Sequence, residues 1–336
     1  MYTIKDVAKE ANVSIATVSR VINGKDKVKK LTKEKVQTAI NKLNYVPDRA
    51  ARTMKNSKTK TIGMLIPVLT NEYWAEMAEV VQQSLMMQGY TLIISSGSWH
   101  EENYHAFMTT CIERKIDGLI LGARLPENTI RLDEYAAAGL PIVTVSMRQE
   151  KYTSITGDDI NCALTGVNYL IGLGHKRIAY IGSATTGLER ELGYRNALML
   201  GGLPVDERIV LGGRNEYVDY FSQYGYQCAL QLVESRHEFS AIFCSNDLIA
   251  IGALKALDEQ GIKVPEDVSI IGVDDISMAS FYRPSLTTLK QPIRQMAETA
   301  VEMILKQIDK LEELTAKHIV FPMKLVIRES TAAPRK

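Results

Sequence analysis

From Thr61 onward, short apolar runs return with a spacing that a parallel sheet accommodates and few other folds do: "TIGMLIPV", "YTLIISSG", "DGLILGA", "PIVTVS", "RIAYIGS", "SAIFCSND" and "VSIIGVDD". Most are separated by roughly 15–20 residues of helical character, the length of a crossover helix. Runs without polar alternation belong to strands covered on both faces, so the spacing predicts βαβ units. About 270 residues of this rhythm is too much for one sheet and predicts two α/β lobes. A last helix is expected over residues 293–311, followed by "HIVFPMKLVIRE", a pair of strands broken at Pro322. No leucine heptad follows it, so no coiled-coil assembly tail is expected.

The first 45 residues have a different texture. Thr3 is placed to cap a helix through "IKDVAKEA", with Asp6 as its capping-box partner. Asn12 stands at a turn position, where asparagine tolerates the left-handed conformation. Ser14 is expected to cap "IATVSRVIN", and Thr32 to cap "KEKVQTAINKLNY". Ile4, Val7, Ala8, Ala11, Val13, Val18, Val21 and Ile22 would supply one small core. Helix, tight turn, helix is a helix-turn-helix pattern, in which the second helix enters the major groove. Its leading residues, Ile15 and Ala16, would meet thymine methyls and groove shape, and Arg20 could pair bidentately with guanine. Thr17, Ser19 and Asn23 would reach phosphates. Charge agrees: residues 1–61 hold 15 Lys and Arg against 5 Asp and Glu, whereas the remainder holds 25 against 34. A basic head on an acidic body suits nucleic-acid contact at one end.

Other classes find less support. No run of about 18 apolar residues exists, so no membrane span is expected. "MYTIKDVAKEANVS" lacks the apolar core of a signal peptide, which leads to the expectation of a cytoplasmic protein. The four cysteines, Cys111, Cys162, Cys228 and Cys244, form no CxxC pair and have no histidine at ligand spacing, so no metal or other cofactor is expected. Asp158, Asp159, Asp274 and Asp275 could invite an acid–base reading, but there is no GxSxG, no P-loop and no histidine in a catalytic context. The glycines of "GLGHKRIAYIG" precede a strand, unlike those of a dinucleotide fingerprint.

"TIKDVAKEANVSIATVSRVING" resembles the DNA-binding head of the LacI/GalR family of bacterial transcriptional regulators, whose heads read close to "TIxDVAxxAGVSxxTVSRVLN". The resemblance continues through "LNYVPDRAARTMK", "IDGLIL", "LGHKRIAYIG", "FCSNDLIAIGAL", "VPEDVSIIGVDDI", "RPSLTTLKQP" and "VIRES", and so covers the whole chain. It implies an α plus α/β fold: a helix-turn-helix head (1–46), a hinge helix and linker (47–60), and a two-lobed periplasmic-binding-protein-like core (61–336). The lobes would comprise about 61–159 with 290–320, and about 160–289 with 321–333. Within "PDRAARTMK", the resemblance implies a hinge helix that orders on DNA, where Met54 wedges into a minor-groove base step. Ala51 would lie near its two-fold partner, Arg49 and Arg52 would face phosphates, and Lys55 would close the helix. Asn12 departs from the glycine that family heads commonly carry.

The resemblance also implies an effector cleft between the lobes. Tyr73 and Trp74, just after the first strand, would edge it, and Arg190 would grip effector hydroxyls or carboxylates. Asn246 and Asp275, each following an apolar strand, read as ligand groups. Asp247 reads as a helix cap. Asp158 and Gln291 are further candidates, and either Tyr220 or Phe221 would cover the ligand. The expected whole is a homodimeric repressor that binds a pseudo-palindromic double-stranded operator and is controlled by a small molecule, with a carbohydrate favoured. The alternatives are a sugar-binding protein without DNA function and a regulator driven by a partner protein.

Overall fold

A computed structural model of the chain describes residues 2–22, 28–45, 58–97, 101–122, 132–137, 139–183, 187–212, 221–310 and 316–335. They fall into two compact units, Met1–Thr59 and Lys60–Lys336.

The first unit contains α1 (Ile4–Glu10), α2 (Ile15–Ile22) and α3 (Lys30–Lys42). Asp6 closes the start of α1, accepting from the Thr3 backbone N–H (2.7 Å) and hydroxyl (2.8 Å). At the other end Asn12 adopts φ 49°. The amides of Asn12 and Val13 return to the carbonyls of Lys9 (3.2 Å) and Ala8 (3.0 Å). That is a Schellman closure with asparagine in the left-handed position that glycine usually fills. Ser14 then caps α2, accepting from the Thr17 amide at 3.1 Å. Thr32 does not cap α3. The helix begins two residues earlier, after an extended Lys29, and the amides of Thr32 (2.9 Å) and Lys33 (3.1 Å) already bond the Lys29 carbonyl. Val7, Ala8, Ala11, Val18, Val36 and Ala39 form the buried centre. A Lys42–Glu10 ion pair at 2.6 Å joins the end of α3 to α1.

The second unit runs β1 (Thr61–Ile66), α4 (Glu72–Met87), β2 (Thr91–Ser96), α5 (Glu101–Glu113), β3 (Gly118–Leu121), α6 (Leu132–Ala137), β4 (Ile142–Val145) and β5 (Thr153–Gly157). It continues with α7 (Asp159–Gly172), β6 (Ile178–Ile181), α8 (Gly187–Leu200), β7 (Val210–Leu211), α9 (Phe221–Glu234), β8 (Ala241–Cys244), α10 (Asp247–Glu259) and β9 (Ser269–Asp274). Then come α11 (Ser277–Phe281), β10 (Thr287–Lys290), α12 (Ile293–Ile308), β11 (His318–Phe321) and β12 (Lys324–Val326).

The strands make two six-stranded sheets, ordered β11-β5-β4-β3-β1-β2 and β12-β10-β9-β8-β6-β7. Among the described residues every pairing is parallel except β10 with β12. Most strands are buried along their length, as their unbroken apolar runs require, whereas edge strand β2 is only half-buried. Each sheet reverses strand order once, between β1 and β3 and between β6 and β8, and ligands of open α/β sheets sit at such points.

The chain crosses between the lobes three times: after β5, after β10, and between β11 and β12. Pro322 separates the last two strands into different sheets rather than one hairpin. The crossings lie side by side. The Asp158 amide bonds the Phe321 carbonyl at 2.9 Å. A methyl group placed on Gly157 would strike the tip of Met323 and lie 3.2 Å from the Gln291 side-chain oxygen. Helix α12, although late in the chain, packs with the β1–β5 sheet through Ile293, Met296, Ala300 and Ile304.

Candidate nucleic-acid interface and ligand cleft

On α2, at about 100° per residue, Ile15, Ser19, Ala16 and Arg20 occupy one arc of about 140° while Val18 points inward. Ile15 is 45 % exposed. Ala16 and Arg20 are exposed, and Thr17 and Ser19 are half-buried. The Thr17 hydroxyl is 2.9 Å from that of Ser14, so those two groups share a hydrogen bond. The arc offers two apolar groups, a serine hydroxyl and one guanidinium: the apolar groups suit a thymine methyl, and the guanidinium donors suit a guanine edge. Asn23, Arg49, Ala51, Arg52, Met54 and Lys55 lie outside the described residues.

In the second unit, both switch points carry polar and aromatic side chains. Asn71 caps α4 and accepts from the Tyr73 amide at 3.0 Å. This fixes Tyr73 and Trp74 in the first turn, where both are buried. Their rings meet edge to face, with centroids 5.0 Å apart. Trp74 lies over Gly122, just past β3, where a methyl would come within 2.9 Å of its ring. The Tyr73 hydroxyl pairs with Ser146, a residue held at φ 61° after β4. Burial pushes the Tyr73 hydroxyl well above its ordinary range, and Asp274 and Asp159 push in the same direction. The aromatic wall therefore faces the charged groups of the other lobe.

Those charges centre on Arg190 of α8, which is only 4 % exposed. Its Nε donates to Asp159 at 2.7 Å, one of its terminal nitrogens donates to the Ser245 carbonyl, and Asp274 lies 3.9 Å away. Burial opposes the guanidinium charge, but the two carboxylates more than offset it, so Arg190 stays cationic. Gln291, at the second crossing, donates to Asp274 at 2.7 Å. Phe221 is buried at the start of α9. Tyr220 lies outside the described residues.

At three strand ends the structure gives neighbouring polar residues different partners, and only the expected helix cap moves, from Asp247 to Asn246. Asp158 caps α7 through the Asn161 amide (3.1 Å) and side chain (2.7 Å), and its neighbour Asp159 is the residue paired with Arg190. Asn246, not Asp247, caps α10, accepting from the Ile249 amide at 2.8 Å. Asp275 is committed to Arg328 (2.5 Å) and Lys290 (3.1 Å), so Asp274 is the carboxylate that faces Arg190. Asp247 is fully buried and holds the loop beyond β9: it accepts from the Ile276 amide (3.0 Å), the Asp275 amide and the Thr288 hydroxyl (2.5 Å). At the end of β9 and just beyond it, Asp274 and Asp275 take φ 128° and 63°, consecutive non-glycine residues in conformations that cost energy.

Burial, reinforced for Asp247 by the charge of Asp274, raises both carboxyls above the usual carboxylate range. A raised folded pKa means that the folded chain holds a proton the unfolded chain has released. The associated stability is complete below about pH 4 and is lost as pH rises toward neutrality. Thermal melts between about pH 5 and about pH 7.5 should therefore show a steeper fall in Tm for the wild type than for Asp274→Asn. Parallel slopes would contradict this.

Comparison with known proteins places these features in context. Residues 3–48 match the model described as "Bacterial regulatory proteins, lacI family", and residues 167–331 match "Periplasmic binding protein-like domain". The "HTH-type transcriptional repressor PurR" of Salmonella paratyphi A is 36 % identical over 341 residues, spanning 99 % of this chain and 97 % of that protein. Among solved structures, the lac repressor dimer bound to operator and the anti-inducer ONPF is similar with a TM-score of 0.86 at 27 % identity, covering 99 % of each chain. The transcriptional regulator CelR in complex with cellobiose has a TM-score of 0.73 at 28 % identity, covering 98 % of this chain and all of that one.

Proposed function

Because the chain belongs to the lacI family of bacterial regulatory proteins, we propose that it is a homodimeric, sequence-specific repressor whose operator affinity is set by a small molecule held between the two lobes. The observation that carries the ligand half is Arg190: a buried guanidinium held by Asp159 and Asp274 beyond the strand ends of a switch point, opposite the Tyr73–Trp74 wall. Carboxylates and a guanidinium beside aromatic rings match the hydroxyls and apolar faces of a sugar, and we read the effector as a carbohydrate. Tyr73, Trp74, Arg190, Asp274 and Gln291 would contact it, with Asp159 holding Arg190 in place and Tyr220 or Phe221 as cover. Asp158, Asn246 and Asp275 act at its margin through the caps and ion pairs described above.

The DNA half rests on the arc of α2. Ile15, Ala16 and Arg20 would read bases, while Thr17, Ser19 and Asn23 contact phosphates. Ala51, Arg52, Met54 and Lys55 would enter the minor groove at the centre of a two-fold site. The proposed division remains 1–46, 47–60 and 61–336, with the chain acting in the cytoplasm as a regulator without catalytic activity. Among the described residues no helix is long and apolar enough to cross a membrane.

Gel shifts on fragments of its own promoter region should show binding that weakens steeply with salt, because phosphate neutralisation releases counterions. Absence of binding to every genomic fragment would sink the reading. Arg20→Ala should cost about 1–3 kcal/mol on the preferred operator and flatten discrimination at one base pair in each half-site. A uniform loss across all sequences would make Arg20 a phosphate contact instead.

A further inference from the structure

Glu72 occupies the first turn of α4, beside the aromatic wall of the cleft, yet its carboxylate bonds to the other lobe. Its Oε2 accepts from the backbone N–H of Ser277, the first residue of α11, at 2.8 Å. Neither partner is buried, so the bond is reached by solvent, unlike the buried Arg190 cluster. The three chain crossings join the lobes along one side; Glu72 and Ser277 join them by a side chain alone. Their bond can therefore break and reform as the lobes move.

Each partner is placed by a buried group of its own lobe. Asn71 fixes the first turn of α4 from one side. Asp247 fixes the 274–277 loop from the other, through the Asp275 and Ile276 amides. Because that same loop carries Asp274 to Arg190, the position of Ser277 and the geometry of the charged cluster vary together. An amide at a helix start has no intrahelical acceptor, so an anion within reach is its natural partner.

We propose that the Glu72–Ser277 bond is an interlobe latch that favours the lobe spacing seen here and thereby sets effector affinity. The inference rests on the reading of the cleft as the effector site. A ligand gripped by both walls gains from this spacing; without the latch, part of its binding energy is spent on restoring it.

Two substitutions remove the bond from opposite sides. Glu72→Ala deletes the acceptor. Ser277→Pro deletes only the donor, because proline suits the first helical position and Ile276 already has the extended backbone (φ −63°, ψ 157°) that a following proline demands. Glu72→Gln keeps an acceptor and serves as the conservative control. Hydrogen exchange on ligand-free full-length protein should show the Ser277 amide protected in wild type and Glu72→Gln, and exposed in Glu72→Ala. D-ribose, cellobiose and adenine are then titrated separately by calorimetry. For the compound that binds, Glu72→Ala and Ser277→Pro should each weaken affinity about three- to tenfold, the double variant no further, and Glu72→Gln little.

Wild-type or tighter affinity in either single variant overturns the latch, as does additive loss in the double variant. An unprotected Ser277 amide in the wild type overturns it as well. If neither sugar binds the wild type, the carbohydrate reading of the cleft fails, while the exchange measurement still decides the latch.

Discussion

Arg190→Ala is expected to lower effector affinity on the order of a hundredfold and to destabilise the core at the same time. The guanidinium is nearly inaccessible and supports two carboxylates, Asp159 at 2.7 Å and Asp274 at 3.9 Å. Removing one partner from a buried ion cluster leaves charge without compensation, which costs about 3–5 kcal/mol. The ligand would also lose charge-assisted hydrogen bonds, each about 1.5–3 kcal/mol, and two of the weaker kind already give the expected hundredfold. Arg190→Lys separates these losses. It keeps the charge and so should recover most of the melting temperature, but it lacks the planar fork and should recover little affinity. Trp74, buried against the cleft, reports the titration by fluorescence. Binding by Arg190→Ala within threefold of wild type would remove Arg190 from the ligand site.

Gly252→Ala should be the most destabilising of the single-methyl additions. Glycine to alanine inside a helix ordinarily gains up to about 1 kcal/mol. Here the added carbon would lie 2.8 Å from both the Ser222 carbonyl carbon and the Tyr226 amide nitrogen, and still closer to the Ser222 oxygen. The neighbour is the backbone of α9, which has no rotamer to change. At the reciprocal position, Gly225 faces the backbone of Ile249, with a carbon 2.7 Å from the site of a methyl. Two helices thus approach through paired glycines, and separating them would open the cluster around Ile249, Ala253 and Leu257. Overpacking of about 1–3 kcal/mol or more outweighs the propensity gain. A net loss of about 2 kcal/mol should appear as a lowered urea midpoint. Gly172→Ala, at the end of α7 with nothing within 4 Å, serves as control and should be neutral or slightly stabilising.

The strand succession and the helix-turn-helix were legible because both depend on periodic patterns that one side-chain misplacement does not disturb. Asn12 was legible for a local reason: few residues other than glycine tolerate its φ of 49°. The boundary at Thr32 was not, because a threonine in the first turn of a helix and one just before it look alike in sequence. The site was harder to read for a similar reason. After β5, β8 and β9 the chain presents the doublets Asp158–Asp159, Asn246–Asp247 and Asp274–Asp275. In the first two, one member caps its own helix and the other reaches across the fold; in the third both reach away, Asp275 to Lys290 and Arg328 and Asp274 to Gln291 and Arg190. The choice depends on the backbone angles at the strand end, and the φ of 128° at Asp274 has no signature in the residue type. Ser146 was missed because a single serine after a strand is unremarkable until Tyr73 is seen to meet it.

The number of crossings between the lobes is odd, and that parity has a consequence for how the molecule can be divided. A chain that passes three times between two bodies begins in one and ends in the other. The residues leading from the head therefore enter the sheet of β1, while the C-terminus finishes along the sheet of β9, where the Ile270 amide bonds the Ser330 carbonyl at 2.8 Å. No single cut in the backbone yields two complete lobes. A fragment ending at Asp158 would lack β11 at its sheet edge and the apolar face of α12, both supplied from beyond residue 290. Each lobe is finished by sequence that the other has first traversed, so proteolysis, truncation or stalled synthesis leaves an exposed sheet rather than a working half.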